Sequence, residues 1–152
     1  MPVTKLAHYS VRTTDLEGSC RFYTRVLGFR QGTRPPFAFP GAWLYQDADE
    51  ADFGVVHIIG IDNDSPDGLV GYLGDKDVHR LRGSGAVDHL AFLATGLAEM
   101  RETLRREQLQ FRERTVPDLH LHQVFLEDPS GVTIELNFPA HEVAGCPVPV
   151  GP

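Results

Sequence analysis

The sequence predicts an α+β fold made of two tandem β-α-β-β-β modules, and three observations support this. Two stretches of the chain resemble each other in the order of their segments, as expected for an internal duplication. Short segments in each copy alternate apolar and polar residues, which is typical of half-buried strands. One segment in each copy repeats apolar residues at helical spacing. With 152 residues, 41% of them hydrophobic, we expect one structural domain with a substantial core.

The first module is predicted over residues 1–60, with one helix and four strands. Residues 5–12 alternate as a strand, and Thr14 or Asp15 is placed to cap a helix that runs to about Leu27. Gly28 follows as the terminating residue because glycine tolerates positive φ. The remaining strands are predicted at 29–34, 42–47 and 53–59.

The second module, residues 85–138, repeats this order after a linker. The linker, residues 61–84, is rich in Asp, Gly and Pro, and we predict a long loop there that covers a site. A strand at 87–93, a helix at 97–108 and strands at 111–116, 122–127 and 132–138 follow. A turn is predicted at the DPSG sequence, 128–131. The helix charges Arg101, Glu102, Arg105 and Arg106 are expected to face water, and the Pro-rich tail, 139–152, to be irregular.

Composition excludes several classes of function. Lysine and arginine number 14 against 21 acidic residues, and they form no basic stripe, so we expect no nucleic-acid partner. Cys20 and Cys146 lack C-x-x-C spacing, which favours a reducing cytoplasm over a disulfide framework. No stretch approaches the roughly 20 apolar residues that a membrane span needs. The sequence therefore predicts a soluble, cytoplasmic protein.

Four side chains that can bind metal occupy equivalent strands of the two modules. His8 and His89 lie in the first strands, and His57 and Glu135 lie in the last strands. Glu135 stands between Ile134 and Leu136, where a buried carboxylate needs a cation or a strong donor. Imidazole and carboxylate together suit Fe, Zn, Ni, Mn or Co. We predict one divalent metal ion per chain.

Two motifs carry a family resemblance that covers about residues 5–138. DLEGSCRFYTRVLGF (15–29) and EDPSGVTIELNF (127–138) resemble the helix-one signature and the closing metal-ligand strand of the vicinal oxygen chelate superfamily. That superfamily includes glyoxalase I, extradiol ring-cleaving dioxygenases, fosfomycin-resistance enzymes, methylmalonyl-CoA epimerase and bleomycin-resistance proteins. The resemblance implies a cupped eight-stranded mixed sheet with the metal inside the cup. It also implies a homodimer, with the modules paired either within one chain or between two.

The resemblance implies that His8, His89 and Glu135 are metal ligands. His57 takes the remaining family position, where glyoxalase I has a glutamate, the epimerase a glutamine and extradiol dioxygenases no ligand. The run at 34–59 most resembles a glyoxalase-like branch with histidine at this place.

Two functions follow from how His57 is interpreted, and a third does not depend on it. If it binds the ion, two positions stay open on an octahedral ion, which favours lyase or isomerase chemistry with Glu135 as general base. If it does not, His8, His89 and Glu135 form a facial triad suited to iron(II) and an extradiol-type dioxygenase. The third function is a metal-free binding protein of the bleomycin-resistance type. The candidate substrate-binding residues are Arg34, Trp43, Tyr45, His120, His122 and Phe125.

Overall fold

The structure, a computed structural model, describes residues 6–46 and 54–143. The chain divides into two compact units, Met1–Arg82 and Gly83–Pro152, and each is described by itself. Cys146 and most of the Pro-rich tail lie outside the described residues, as do parts of the predicted strands at 5–12, 42–47 and 53–59.

The first unit is a four-stranded mixed sheet with two helices. Its strand order is β1-β4-β3-β2, with β1 parallel to β4 and the other pairs antiparallel. This confirms the β-α-β-β-β order. The elements are β1 Tyr9–Thr13, α1 Leu16–Arg25, β2 Arg30–Gly32, β3 Gly41–Tyr45, β4 Val56–Gly60 and α2 Asp67–Leu73.

Helix α1 begins where the sequence indicated and ends slightly before the predicted residue. Asp15 is the N-cap, and its Oδ1 accepts a hydrogen bond from the backbone N–H of Gly18 at 2.9 Å. Phe22 and Tyr23 are buried on the face that packs against the sheet. Gly28 has φ +75°, a conformation that a residue with a Cβ adopts only with strain. The regular helix stops at Arg25, slightly before the predicted end.

Helix α2 lies in the segment that the sequence analysis assigned to a loop. It is short and has no side-chain cap at its N-terminus. Leu69 packs with Phe39 and Ile59 in a small hydrophobic cluster. Arg12 donates hydrogen bonds to the carbonyl oxygens of Leu73 and Gly74, both at 3.0 Å, where a cation also suits the negative end of the helix. Tertiary contacts therefore stabilise a helix that is too short to form alone.

The second unit repeats the first, with strand order β5-β8-β7-β6 and β5 parallel to β8. The α+β class and the duplicated order are therefore confirmed. The DPSG turn joins the last two strands, and there Asp128 Oδ1 accepts hydrogen bonds from the N–H groups of Ser130 and Val132. The elements are β5 Leu90–Leu93, α3 Leu97–Arg106, β6 Phe111–Val116, β7 Leu121–Glu127 and β8 Thr133–Pro139.

One charge on α3 is not solvated as expected. Arg101 forms a two-pronged ion pair with Glu113, at 2.9 and 2.7 Å, and its side chain is only 15% exposed. Its guanidinium matches the carboxylate geometry, so this ion pair ties α3 to β6. Leu97 and Leu104 of the same helix are fully buried. None of the helices in the described part of the chain is long and apolar enough to cross a membrane.

Candidate functional site

The two units place their candidate donors at matching points. His8 and His89 each stand one residue before the first strand of their unit. His57 pairs with Ser10 in the sheet register, and Glu135 pairs with Ala91. Ser10 is two positions after His8, and Ala91 is two positions after His89, so the two units share the same register. Because side chains alternate along a strand, this register puts each histidine on the same sheet face as its closing-strand residue.

In the second unit, His89 and Glu135 are in direct contact. His89 Nε2 lies 3.2 Å from Glu135 Oε2, and the Glu135 side chain is 7% exposed. The other ring nitrogen, Nδ1, lies 2.7 Å from Asp88 Oδ1. In the tautomer with the proton on Nδ1, the ring donates to Asp88 and the Nε2 lone pair faces Glu135. Adjacent ligands of an ion at about 2.1 Å lie roughly 3 Å apart, so this pair has the spacing of two metal donors.

Two buried amides hold the second oxygen of Glu135. Gln123 Nε2 donates to Glu135 Oε1 at 2.9 Å, and Asn137 Nδ2 donates to the same oxygen at 2.7 Å. Gln123 Nε2 also lies 3.0 Å from Asn137 Oδ1. Arg114 Nε donates to Gln123 Oε1 at 2.6 Å, and since a guanidinium only donates, it fixes the orientation of that amide. The carboxylate is thus anchored through Oε1, which leaves Oε2 on the side of His89.

The first unit stacks three rings at its candidate site. The His8 and His57 rings lie 3.8 Å apart between centroids with 18° between their planes. The Trp43 ring stacks on the other side of His57, with 4.2 Å between the ring centroids and 5° between the ring planes. Because His57 lies between these two rings, it is only 8% exposed.

The Nε2 atom of His57 is buried and has no hydrogen-bond partner among the described residues. The pKa of His57 is lowered to about 4, first by burial and then by the neighbouring His8, while a hydrogen bond with the backbone of Gly54 opposes the shift. Burial disfavours the charged imidazolium. His57 is therefore neutral near pH 7, which is the form that binds metal.

The stacking limits how the first unit can bind an ion. Imidazole lone pairs lie in the ring planes, and the planes of His8 and His57 are nearly parallel. As they stand, the two rings do not direct their lone pairs at one point within coordination distance. Within either unit taken alone, the described residues bring together no group of three or more His, Cys, Asp or Glu side chains that could hold an ion.

A cavity of about 400 Å³ opens beside His57 in the first unit. Arg34 lines it, with its guanidinium 4.9 Å from the Phe37 ring and its Nη2 donating to the Phe39 carbonyl at 2.8 Å. Burial lowers the pKa of Arg34. Phe39 and Trp43 also line the cavity, together with Tyr72, which lies in α2 within the predicted linker.

The other predicted substrate-binding residues are spread over different places. Tyr45 is 5% exposed, donates its hydroxyl to the Thr33 carbonyl at 2.7 Å, and does not line the cavity. His120 is exposed, with φ +54°, after a short 3-10 turn. Phe125 lies on the face of Glu135 and meets the His89 ring edge-on at 6.0 Å.

His122 lies on the opposite face of its sheet. Its Nε2 is 3.1 Å from Glu113 Oε2 and its Nδ1 is 2.9 Å from Thr115 Oγ1. The pKa of Glu113 is lowered, mainly by its hydrogen bond from Arg101. Gln123, the next residue along β7, points to Glu135 instead. His122 was predicted to line the substrate pocket and Gln123 was not. Phe125 is the register partner of Glu135, so alternation along β7 places Gln123 on the face of Glu135 and His122 on the other face.

The chain matches the family model described as the Glyoxalase/Bleomycin resistance protein/Dioxygenase superfamily over residues 5–136, and it belongs to this superfamily. The resemblance drawn from the two sequence motifs is therefore confirmed. No curated protein matches the sequence.

Solved structures share the fold at low sequence identity. Lactoylglutathione lyase from Agrobacterium tumefaciens has a TM-score of 0.57 and 13% identity, over 93% of this chain and 98% of that chain. The fosfomycin resistance protein FosX from Listeria monocytogenes has a TM-score of 0.61 and 13% identity, over 90% of this chain and 93% of that chain. The antibiotic binding protein TnmS3 from Streptomyces sp. CB03234 has a TM-score of 0.58 and 17% identity, over 91% of this chain and 98% of that chain. The fold thus accommodates enzymes and binding proteins alike.

Proposed function

We propose that the protein is a divalent-metal-dependent enzyme of the lyase or isomerase type, acting on a small molecule that chelates the ion through two neighbouring oxygens. The observation that carries this proposal is the 3.2 Å approach of His89 Nε2 to Glu135 Oε2. These two residues would hold the ion, and His8 and His57 would be its further donors. Fe, Zn, Ni, Mn and Co all accept this mixture of nitrogen and oxygen ligands.

The surroundings of the pair favour a metal site over a plain ion pair. Metal-binding histidines usually donate their second N–H to a carboxylate or carbonyl, as His89 can to Asp88. Metal-binding carboxylates are in turn held by hydrogen bonds, as Glu135 is by Gln123 and Asn137. Both hydrogen-bonding arrangements therefore support the proposal of a metal site.

The reaction type follows from what Glu135 can do. A bound divalent ion would supply Lewis acidity that makes a carbon-bound proton next to a carbonyl easier to remove. Glu135 Oε2 would accept that proton as general base. Oε2 cannot hold the ion and the proton at once, so Glu135 would act as the base only when this oxygen is off the ion, while Oε1 stays anchored by the two amides.

A second candidate, an iron(II) ring-cleaving dioxygenase, is favoured by the stacking of His8 on His57. If only one of these two rings can bind the ion, the donors number three, as in a facial triad with positions open for oxygen and substrate. His57 would then be a pocket residue beside the aromatic cavity.

Metal binding and reaction type can be tested separately. Calorimetry should show about one divalent ion per chain, with binding weakened at least tenfold in Glu135→Gln and unchanged in Glu102→Gln, an exposed glutamate of α3. Absence of binding by the wild-type chain would reject the enzyme proposal and leave a metal-free binding protein. With metal bound, exchange of a substrate's α-proton into deuterated water supports the lyase or isomerase, whereas oxygen consumption supports the dioxygenase.

The His57→Ala variant tests the number of donors. If His57 binds the ion, metal affinity falls by at least tenfold. If affinity is retained and His8→Ala abolishes it, the three-donor site is supported. A homodimer and a cytoplasmic location stay predictions, which light scattering and cell fractionation can check.

A further inference from the structure

Two arginines of β6 flank one aromatic ring on the face of Glu135. The guanidinium carbons of Arg112 and Arg114 lie 4.4 and 5.0 Å from the centroid of the Phe125 ring. Phe125 is 5% exposed, whereas both arginines are exposed. Stacking on the ring therefore holds two cations in defined positions at the surface of the second unit.

Among the residues that the structure describes, no carboxylate pairs with these two cations, Arg112 and Arg114. Arg101, in contrast, pairs with Glu113. Both guanidinium carbons lie within 5.0 Å of one centroid, so the two charges are less than about 10 Å apart, close enough to repel each other at physiological salt. The chain as a whole carries a formal charge of −7, which makes an unbalanced pair of cations a local exception.

The pair lies close to the proposed metal donors. Phe125 is the register partner of Arg112 on one side and of Glu135 on the other. Neighbouring strands are about 4.8 Å apart, so the Cα atoms of Arg112 and Glu135 are roughly 10 Å apart. The Arg112 side chain lies over the Phe125 ring, so its guanidinium group is closer to Glu135 than the Arg112 Cα atom is. A molecule of a few carbon atoms can span it.

We propose that Arg112 and Arg114 bind an oxyanion of the ligand, a carboxylate or a phosphoryl group, while the reacting part of that ligand meets His89 and Glu135. The inference rests on the proposed function only in naming this ligand the substrate. Guanidinium groups match both oxyanions through paired hydrogen bonds. Glu127, which lines the adjacent cavity with Arg112, disfavours an anion at the far end of β7 and directs it towards Arg114.

The test uses the full-length chain and inorganic phosphate, with acetate as the carboxylate probe and chloride as the control for ionic strength. Side-chain Nε–H resonances of arginine are followed during the titration. Phosphate or acetate, or both, should shift the signals of Arg112 and Arg114 in a saturable way that chloride does not reproduce. Tighter binding of phosphate would identify the oxyanion as a phosphoryl group, and tighter binding of acetate would identify it as a carboxylate.

The double variant Arg112→Gln/Arg114→Gln should weaken this binding about tenfold or more, because charge-assisted hydrogen bonds are lost. Arg105→Gln, which removes an exposed arginine of α3, should leave it unchanged. Equal binding by the double variant, or shifts that chloride reproduces, would overturn the proposal. Divalent-ion affinity should stay within twofold of wild type in the single variant Arg112→Gln, because Arg112 does not belong to the hydrogen bonds that run from Arg114 through Gln123 to Glu135. Weaker anion binding with unchanged metal affinity in this variant separates loss of the anion site from loss of the metal site.

Discussion

Replacement of Gln123 by methionine removes the amide that joins Arg114 to Glu135 while keeping the length of the side chain. Gln123 is 6% exposed, so water cannot replace the lost donor. Its Nε2 donates to the Glu135 carboxylate at 2.9 Å and lies 3.0 Å from Asn137 Oδ1. The variant leaves the carboxylate with a single amide donor.

The expected loss of stability follows from these contacts. A hydrogen bond to a charged group contributes about 1.5–3 kcal/mol and a neutral one about 1 kcal/mol. Arg114 is exposed and regains water, so its lost acceptor adds little. Burial of the methionine side chain returns about 1 kcal/mol. The free energy of unfolding should therefore fall by about 2 kcal/mol, which shifts a urea midpoint by roughly 1 M at a typical denaturant slope.

Urea unfolding followed by circular dichroism measures this change. The single tryptophan, Trp43, lies in the first unit, so its fluorescence does not report on the altered site. Gln31→Met places the same substitution on an exposed residue of β2 and should leave the midpoint unchanged. If Gln123→Met matches that control in stability, the amides do not anchor Glu135 and the reasoning fails. Zinc affinity should fall about 10- to 100-fold in Gln123→Met, as is typical when residues that orient metal ligands are removed.

Two further predictions concern pH and close packing. Because the folded pKa of Glu113 lies below its unfolded value of 4.5, its stabilisation is present above that value and is lost as pH falls through the lower folded pKa. Glu113→Gln should cost about 1 kcal/mol at pH 7, a modest figure because the ion pair is partly exposed, and its unfolding curve should converge on that of wild type in acid. A constant difference at all pH values would contradict this assignment. In α2, a Cβ at Gly68 would collide with the Ala38 carbonyl, whereas nothing lies within 4 Å at Gly71. Gly68→Ala should therefore speed hydrogen exchange of the α2 amides, and Gly71→Ala should slow it or leave it unchanged, since alanine favours a helix by about 1 kcal/mol. Equal effects at both positions would refute the close approach of the helix to residue 38.

The sequence predicted the fold because the duplicated pattern is strong at several levels. Asp15 and Gly28 bound α1 through capping and positive φ, and these signals are local. The segment around Leu69 carried no comparable signal, since α2 depends on its contacts with Phe39 and Ile59 and on Arg12. Local patterns cannot report such distant contacts.

The candidate site was predictable where a residue type is unusual for its position. Glu135 in an apolar strand was such a case, and the structure places His89 beside it. Gln123 and Asn137 were missed because amides on a strand are common and only their register relative to Glu135 reveals their role. His122 was assigned to the pocket from the predicted strand pattern, whereas the structure places it beside Glu113, on the face of β7 opposite Gln123 and Phe125.

The most direct test of the metal proposal is the response of the His89 ring nitrogens to zinc, observed by long-range proton–nitrogen NMR. With Nδ1 bonded to Asp88, the proposal predicts that one zinc ion per chain shifts the Nε2 resonance of His89 strongly while Nδ1 remains protonated. The same shift should require a much higher zinc concentration in Glu135→Gln. If zinc binds and the His89 resonances do not move, or if Glu135→Gln titrates like wild type, then His89 and Glu135 are not the metal-binding pair.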